Sequence, residues 1–200
     1  MRKMAVGFVL FLFIGVVSAS PVFTVYTDRL LWDSAITGMP WTSTETFDMN
    51  TIHQPWLAIS SDYPGAVTNN RWESRVDDDP LLQDTFHFAV PGIALQAFGA
   101  DFNLAVPGGP GTGIRVSMFL GSGGTEYFVG EMANTTQSFW GFVVQGGSFD
   151  YVRLTAGTQS GIQETYWTDN LSIAGVPEPG TYLLVGAGLL AFGLWRRRFR

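Results

Sequence analysis

The sequence predicts an all-β body with an apolar segment at each end. Three observations lead there. Ile114, Val116, Met118 and Leu120 fall on one side of an extended stretch and Arg115 and Ser117 on the other, the period of two that a half-buried strand requires. Glycine clusters recur at Pro91-Gly92, 107–111, 121–124, Gly146-Gly147 and 157–161, where turns between short strands belong. Residues 4–17 and 182–195 carry no charge. Many short strands with regular turns describe a sandwich or a barrel.

In chain order, Arg2 and Lys3 open a charged start, residues 4–17 are apolar, and Val17-Ser18-Ala19 supplies small residues. This is the pattern of a signal peptide over residues 1–19, cut after Ala19. A retained membrane helix is disfavoured by the shortness of the run and by Pro21. A first strand is expected over 22–27. Asp28 is placed to cap a short helix over 29–36. Residues 39–84 are less regular, with several prolines, and read as one or two strands (44–49 among them) joined by long loops. Further strands are expected over 85–90, 98–104, 114–120, 126–132, 139–145, 151–156 and 166–174, all rich in β-branched and aromatic residues. The exported body is thus 20–175.

The last segment, 176–200, differs in kind. Val176-Pro177-Glu178-Pro179-Gly180 precedes an apolar run ending at Trp195, and Arg196, Arg197, Arg198 and Arg200 follow. A helix over 182–195 would rise about 21 Å against a hydrocarbon core of about 30 Å, a marginal transmembrane span. Arg196, Arg197 and Arg198 are its expected stop-transfer signal and stay cytoplasmic by the positive-inside rule. Pro177 and Pro179 lack amide donors and should keep the motif extended, poorly paired and accessible.

Removing both ends leaves five arginines and sixteen acids, a net charge of −11, and no lysine. Such a surface repels nucleic acid, which is excluded as a partner. With no cysteine, thiolate zinc sites and iron–sulfur clusters are excluded too, and stability must come from the core.

Strand parity places Asp169 beside Trp167, Leu171 and Ile173, and Glu45 beside Phe47 and Met49. A carboxylate facing a core must be paired, coordinated or protonated. A bulge, or hydrogen bonds to backbone or arginine, are alternatives for either residue. Trp41, Trp56 and Trp72 lie in turn-rich sequence and are candidates for sugar stacking, with capping of the core as the alternative. Two of these rings lying coplanar on an exposed face would decide for stacking. Asp77-Asp78-Asp79 lacks calcium-loop spacing and reads as a solvated turn. His53 and His87 are the only histidines, and His87 is expected to face outward or be hydrogen-bonded. No nucleophile elbow and no His-Glu-x-x-His is present. Paired carboxylates for a glycosidase cannot be singled out among so many acids.

Residues 176–200 resemble the PEP-CTERM sorting signal, with its Pro-Glu-Pro motif at Pro177, Glu178 and Pro179, a glycine-containing apolar stretch and an arginine cluster. The resemblance implies processing by an exosortase, a membrane transpeptidase-like protease, in a host that is mainly a Gram-negative producer of extracellular polysaccharide. The body's layout is similar to that of other exported PEP-CTERM proteins at Phe98-Gly99-Ala100-Asp101-Phe102, Phe139-Trp140-Gly141-Phe142 and 167–173. That likeness implies a jelly-roll-like antiparallel β-sandwich. Jelly-roll carbohydrate-binding modules hold a structural calcium between an early and the last strand, so Glu45 and Asp169 together are candidate Ca²⁺ ligands.

The expected function is that of a non-catalytic cell-surface or extracellular-matrix protein associated with exopolysaccharide. It would be exported across the inner membrane, anchored there transiently, then released to the surface or matrix. The alternatives are a glycan-binding module using exposed tryptophans and a glycan-active hydrolase.

Overall fold

The computed structural model describes residues 20–77, 82–105, 111–120, 124–178, 180 and 186–189. The expected signal peptide with its Ala19 site, Pro179, and Arg196 to Arg198 lie outside the described residues. Among the described residues twelve strands form two antiparallel sheets packed face to face, a jelly-roll-like β-sandwich. The larger sheet contains β1 (Val22–Tyr26), β10 (Gln137–Gln145), β7 (Ile93–Asn103), β12 (Gln163–Pro177), β5 (Arg71–Asp77) and β4 (Ala66–Thr68), in that order. Its seventh strand, β2 (Trp41–Glu45), pairs with the far half of β12. The second sheet runs β3 (Leu57–Ser61), β6 (Asp84–Phe88), β11 (Tyr151–Ala156), β8 (Ile114–Phe119), β9 (Glu126–Met132).

Inward residues from both sheets make one core, among them Phe86, Phe98, Phe102, Val116, Met118, Phe142, Leu154 and Ile173, all at most 1% exposed. The helix α1 (Arg29–Ile36) covers the outer face of the larger sheet. Asp28 caps it, accepting from the amides of Leu30 (2.8 Å) and Leu31 (3.2 Å). Trp32 and Ile36 pack on Ala97, Phe139, Val143 and Ala174.

Two expectations are corrected. Residues 39–84 hold four strands, β2 to β5, short ones separated by Pro55, Pro64 and the Asn69-Asn70 turn. The sorting motif, expected to stay unpaired, begins as part of the sheet. In β12, Val176 lies opposite Ala94 and Pro177 opposite Ile93, and the Glu178 amide donates to the Gly92 carbonyl at 3.0 Å. Antiparallel pairing uses only alternate residues of a strand on each side, so a proline without a donor can still end the ladder. Beyond it, 186–189 are helical. Among the described residues no helix is long and apolar enough to cross a membrane, so the transmembrane helix expected over 182–195 falls mostly outside them.

Candidate functional site: the outer face of the five-stranded sheet

The paired carboxylates expected from parity do not form a site. Strand β12 carries a bulge between Asp169 and Ser172, with Asn170 in the left-handed region at φ 49°. Before it Tyr166 and Thr168 point inward; after it Leu171 and Ile173 do. Parity therefore flips at Asn170, and Asp169 faces the other way, half-buried, accepting from the Asn170 amide at 2.6 Å. Burial pushes its pKa up, and the nearby charges of Asp101 and Asp48 add to this.

Glu45 is buried at the end of β2, opposite Leu171. Its Oε1 accepts from the Phe47 amide at 2.7 Å, and its Oε2 from those of His53 and Gln54, each at 2.7 Å. Three amides thus occupy the carboxylate that was a candidate calcium ligand. Phe47 turns back at φ 52° and is buried, whereas Met49 is 81% exposed, so the expected common face ends at Glu45. Among the described residues no group of three or more His, Cys, Asp or Glu could hold a metal ion.

The tryptophans are corrected too. Trp56 and Trp72 are buried at 7% and 6% exposure, and Trp41 is half-buried edge-on to Trp56, ring centroids 6.5 Å apart at 80°. No coplanar exposed pair exists among them. The core's demand for large apolar side chains outweighs the turn-rich surroundings.

What the strands do assemble is a polar–aromatic strip on the outer face of the five-stranded sheet. The registers align Ala58, His87, Tyr151, Phe119 and Glu126 in one row across all five strands. The next row holds Ser60, Thr85, Arg153, Ser117 and Phe128. Four strand spacings make the strip about 19 Å wide. Tyr151 stacks on Phe119 at 4.3 Å and 19°, and His87 lies 5.4 Å from Tyr151. The Arg153 guanidinium sits 4.3 Å over Phe119 and donates to Glu126 at 3.5 Å. Arg115 sits 4.8 Å over Phe128, itself 51% exposed. His87, outward as expected, shares a hydrogen bond with Ser60 at 3.2 Å.

Two depressions flank the Arg153–Glu126 pair. One, of about 570 Å³, is lined by Trp56, Ala58, His87, Asp150, Tyr151 and Arg153 among others. The other, about 400 Å³, is lined by Arg115, Ser117, Glu126, Phe128 and Thr155. Each has one carboxylate, Asp150 or Glu126. The alternation of Arg115-Ser117 and of Tyr151-Arg153-Thr155 is the sequence signal for this face; which strands lie side by side was not legible.

Glu164 has a raised pKa but is no part of this face. It is buried on β12, accepts from the Gly113 amide at 2.7 Å, and burial pushes it up to about 7. The Gly111 backbone closes over it: a Cβ there would lie 2.2 Å from Oε2.

The fold and the tail together define an antiparallel β-sandwich with a terminal sorting segment. Residues 175–198 match the PEP-CTERM protein-sorting motif, so the chain carries that motif at the end of its last strand. The body is similar in fold to a single-residue mutant of CBM29-2, a family 29 carbohydrate-binding module, at TM-score 0.51 and 6% identity over 67% of this chain and 91% of that one. A second mutant of the same module, complexed with mannohexaose, gives the same values. CBM29_1 from Piromyces equi is 11% identical over 78% of this chain and 91% of its own, at TM-score 0.48. At such identities the likeness describes the fold alone. The search of curated proteins finds no match.

Proposed function

We propose that this is an exported, non-catalytic envelope protein, processed by an exosortase-type membrane protease through Pro177-Glu178-Pro179. Its body binds extracellular polysaccharide on the outer face of the five-stranded sheet. The observation that carries the binding reading is the depression of about 570 Å³ on this face, where the His87 and Tyr151 rings stand beside Arg153 and Asp150, with Phe119 buried behind them as the stacking partner of Tyr151. Ring faces pack against the C–H faces of sugars, while arginine and carboxylate groups meet hydroxyls. The fold shared with carbohydrate-binding modules supports this reading, as does a sorting tail that resembles those of polysaccharide producers. Glycosidic hydrolysis needs two facing carboxylates; the two depressions of this face hold one each, and in an adjoining one Asp150 is joined by Glu178 of the sorting motif, so binding is the reading favoured here.

The test is retention on exopolysaccharide of the producing organism, by affinity electrophoresis. The wild-type body should be retarded. Tyr151→Ala should weaken binding about tenfold, the loss of roughly 1.4 kcal/mol expected for one ring contact. Trp41→Ala should bind as wild type. No retardation of the wild-type body, or equal retardation of Tyr151→Ala, would sink this assignment.

A further inference from the structure

We infer that the sandwich end bearing Ser20-Pro21, Val90-Pro91-Gly92, Gly146-Gly147 and Glu178 is a membrane-facing surface, resting on the lipid headgroups while the sorting tail holds the protein. The inference depends on the tail's role as a lipid tether.

Sheet register places these segments together. Val22 opposes Gln145, Gly175 opposes Leu95, and Gly175 also opposes Trp41, so β1, β7, β10, β12 and β2 all start or stop at one end of the larger sheet. The second sheet meets it there. The turn Val90–Ile93 closes with a 3.2 Å hydrogen bond and carries the chain from β6 into β7, and the Phe149 amide donates to the Leu95 carbonyl at 3.1 Å. The first and last described residues of the body both lie at this end. The body begins at Ser20, whose carbonyl lies 3.9 Å from where a Gly146 Cβ would be. It finishes at Glu178, still bonded to Gly92. Entry on β1 and exit on β12 are three strand spacings apart, about 14 Å.

The docked motif makes the geometry restrictive. Had 176–180 been a free linker, the body could sit at any angle and at some distance from the bilayer. With Glu178 held on the sheet, the apolar run begins three residues later at Thr181, a reach of at most about 11 Å. The loops around Glu178 must then lie at headgroup level. Their chemistry suits that place. Pro21, Pro40, Val90, Pro91 and Pro177 supply apolar and proline tips, and the acids among them are Asp150 and Glu178. The opposite end carries Asp62, Asp77 and Glu131 together with Arg75 and Arg115.

The chain has no cysteine, so one substitution gives one label. Full-length Pro91→Cys and Ser160→Cys, both at exposed positions, would carry an environment-sensitive dye in phosphatidylethanolamine–phosphatidylglycerol vesicles containing a nitroxide-headgroup lipid. Strand β12 spans 15 residues, so the two ends lie about 45 Å apart. Quenching at position 91 should exceed that at 160 at least about fivefold. Gln145→Cys against Thr135→Cys repeats the comparison should a first variant misfold. Equal quenching at both ends of vesicle-bound protein, or stronger quenching at 160, would overturn the inference. Failure of the protein to bind vesicles at all would remove the tether reading itself.

Discussion

At the scale of single residues, Glu45 organises a whole loop. Its side chain holds the amides of Phe47, His53 and Gln54, and so fixes a loop whose backbone enters the left-handed region at Phe47, Met49 and Asn50. Glu45→Ala would strand buried donors, and hydrogen bonds to a charged acceptor are worth about 1.5–3 kcal/mol each. A loss of about 3–5 kcal/mol is expected in urea unfolding, enough to unfold a marginal domain. Because amides occupy its oxygens, a chelator should leave the melting temperature unchanged; a chelator-induced drop would restore the calcium reading. The sequence signalled that Glu45 was special, since an acid shared a face with Phe47. It could not say what satisfied it, because two of the three donors come from a turn eight and nine residues away. Asp169 misled for a different reason. Alternation holds only while pairing is regular, and the bulge at Asn170 inverts it.

At the scale of elements, the best-signalled pieces are those governed by local chemistry. The helix α1 follows from a capping aspartate before an amphipathic turn, and β9 and β11 keep the limits their alternation and flanking turns suggest. Asp28→Ala should cost about 1 kcal/mol by leaving the Leu30 and Leu31 amides uncapped. Trp32→Ala should cost about 3–5 kcal/mol, since that ring is 1% exposed, packs on Phe139 at 5.5 Å and donates to the Phe142 carbonyl. Denaturant titration of the two variants should rank them in that order. The strands β2 to β5 escaped a full local reading because they lean on distant partners, β2 and β5 on β12 and β3 on β6, with β4 paired in turn to β5. Long-range pairing overrides weak local preference. The same cause hid the docking of Pro177: what holds Glu178 is Gly92, a partner 86 positions away.

At the scale of the whole molecule, the acidic composition has an internal counterpart that sets how stability responds to pH. Glu164 and Asp84 are both buried. Burial pushes Glu164 from its ordinary 4.5 up to about 7 and raises Asp84 from 3.8. Asp84 accepts a hydrogen bond from the Tyr166 hydroxyl, and Glu164 accepts one amide. In both, the folded state keeps a proton that the unfolded chain releases. Protons bound in excess by the native state make stability fall as pH rises. For Glu164 the fall runs from about pH 4.5 to about pH 7 and amounts to about 3 kcal/mol when complete. A domain of this size melts about 2–4 °C lower per kcal/mol lost, so the body should melt several degrees higher at pH 5 than at pH 7.5. Most acidic proteins gain from ionised, paired carboxylates and behave the opposite way over this range. Glu164→Gln keeps an oxygen for the Gly113 amide and cannot ionise, so it should raise the melting temperature at pH 7.5 and flatten most of the slope. A variant that melts with the wild-type pH dependence would show that the proton sits elsewhere, with Asp84 next to be replaced.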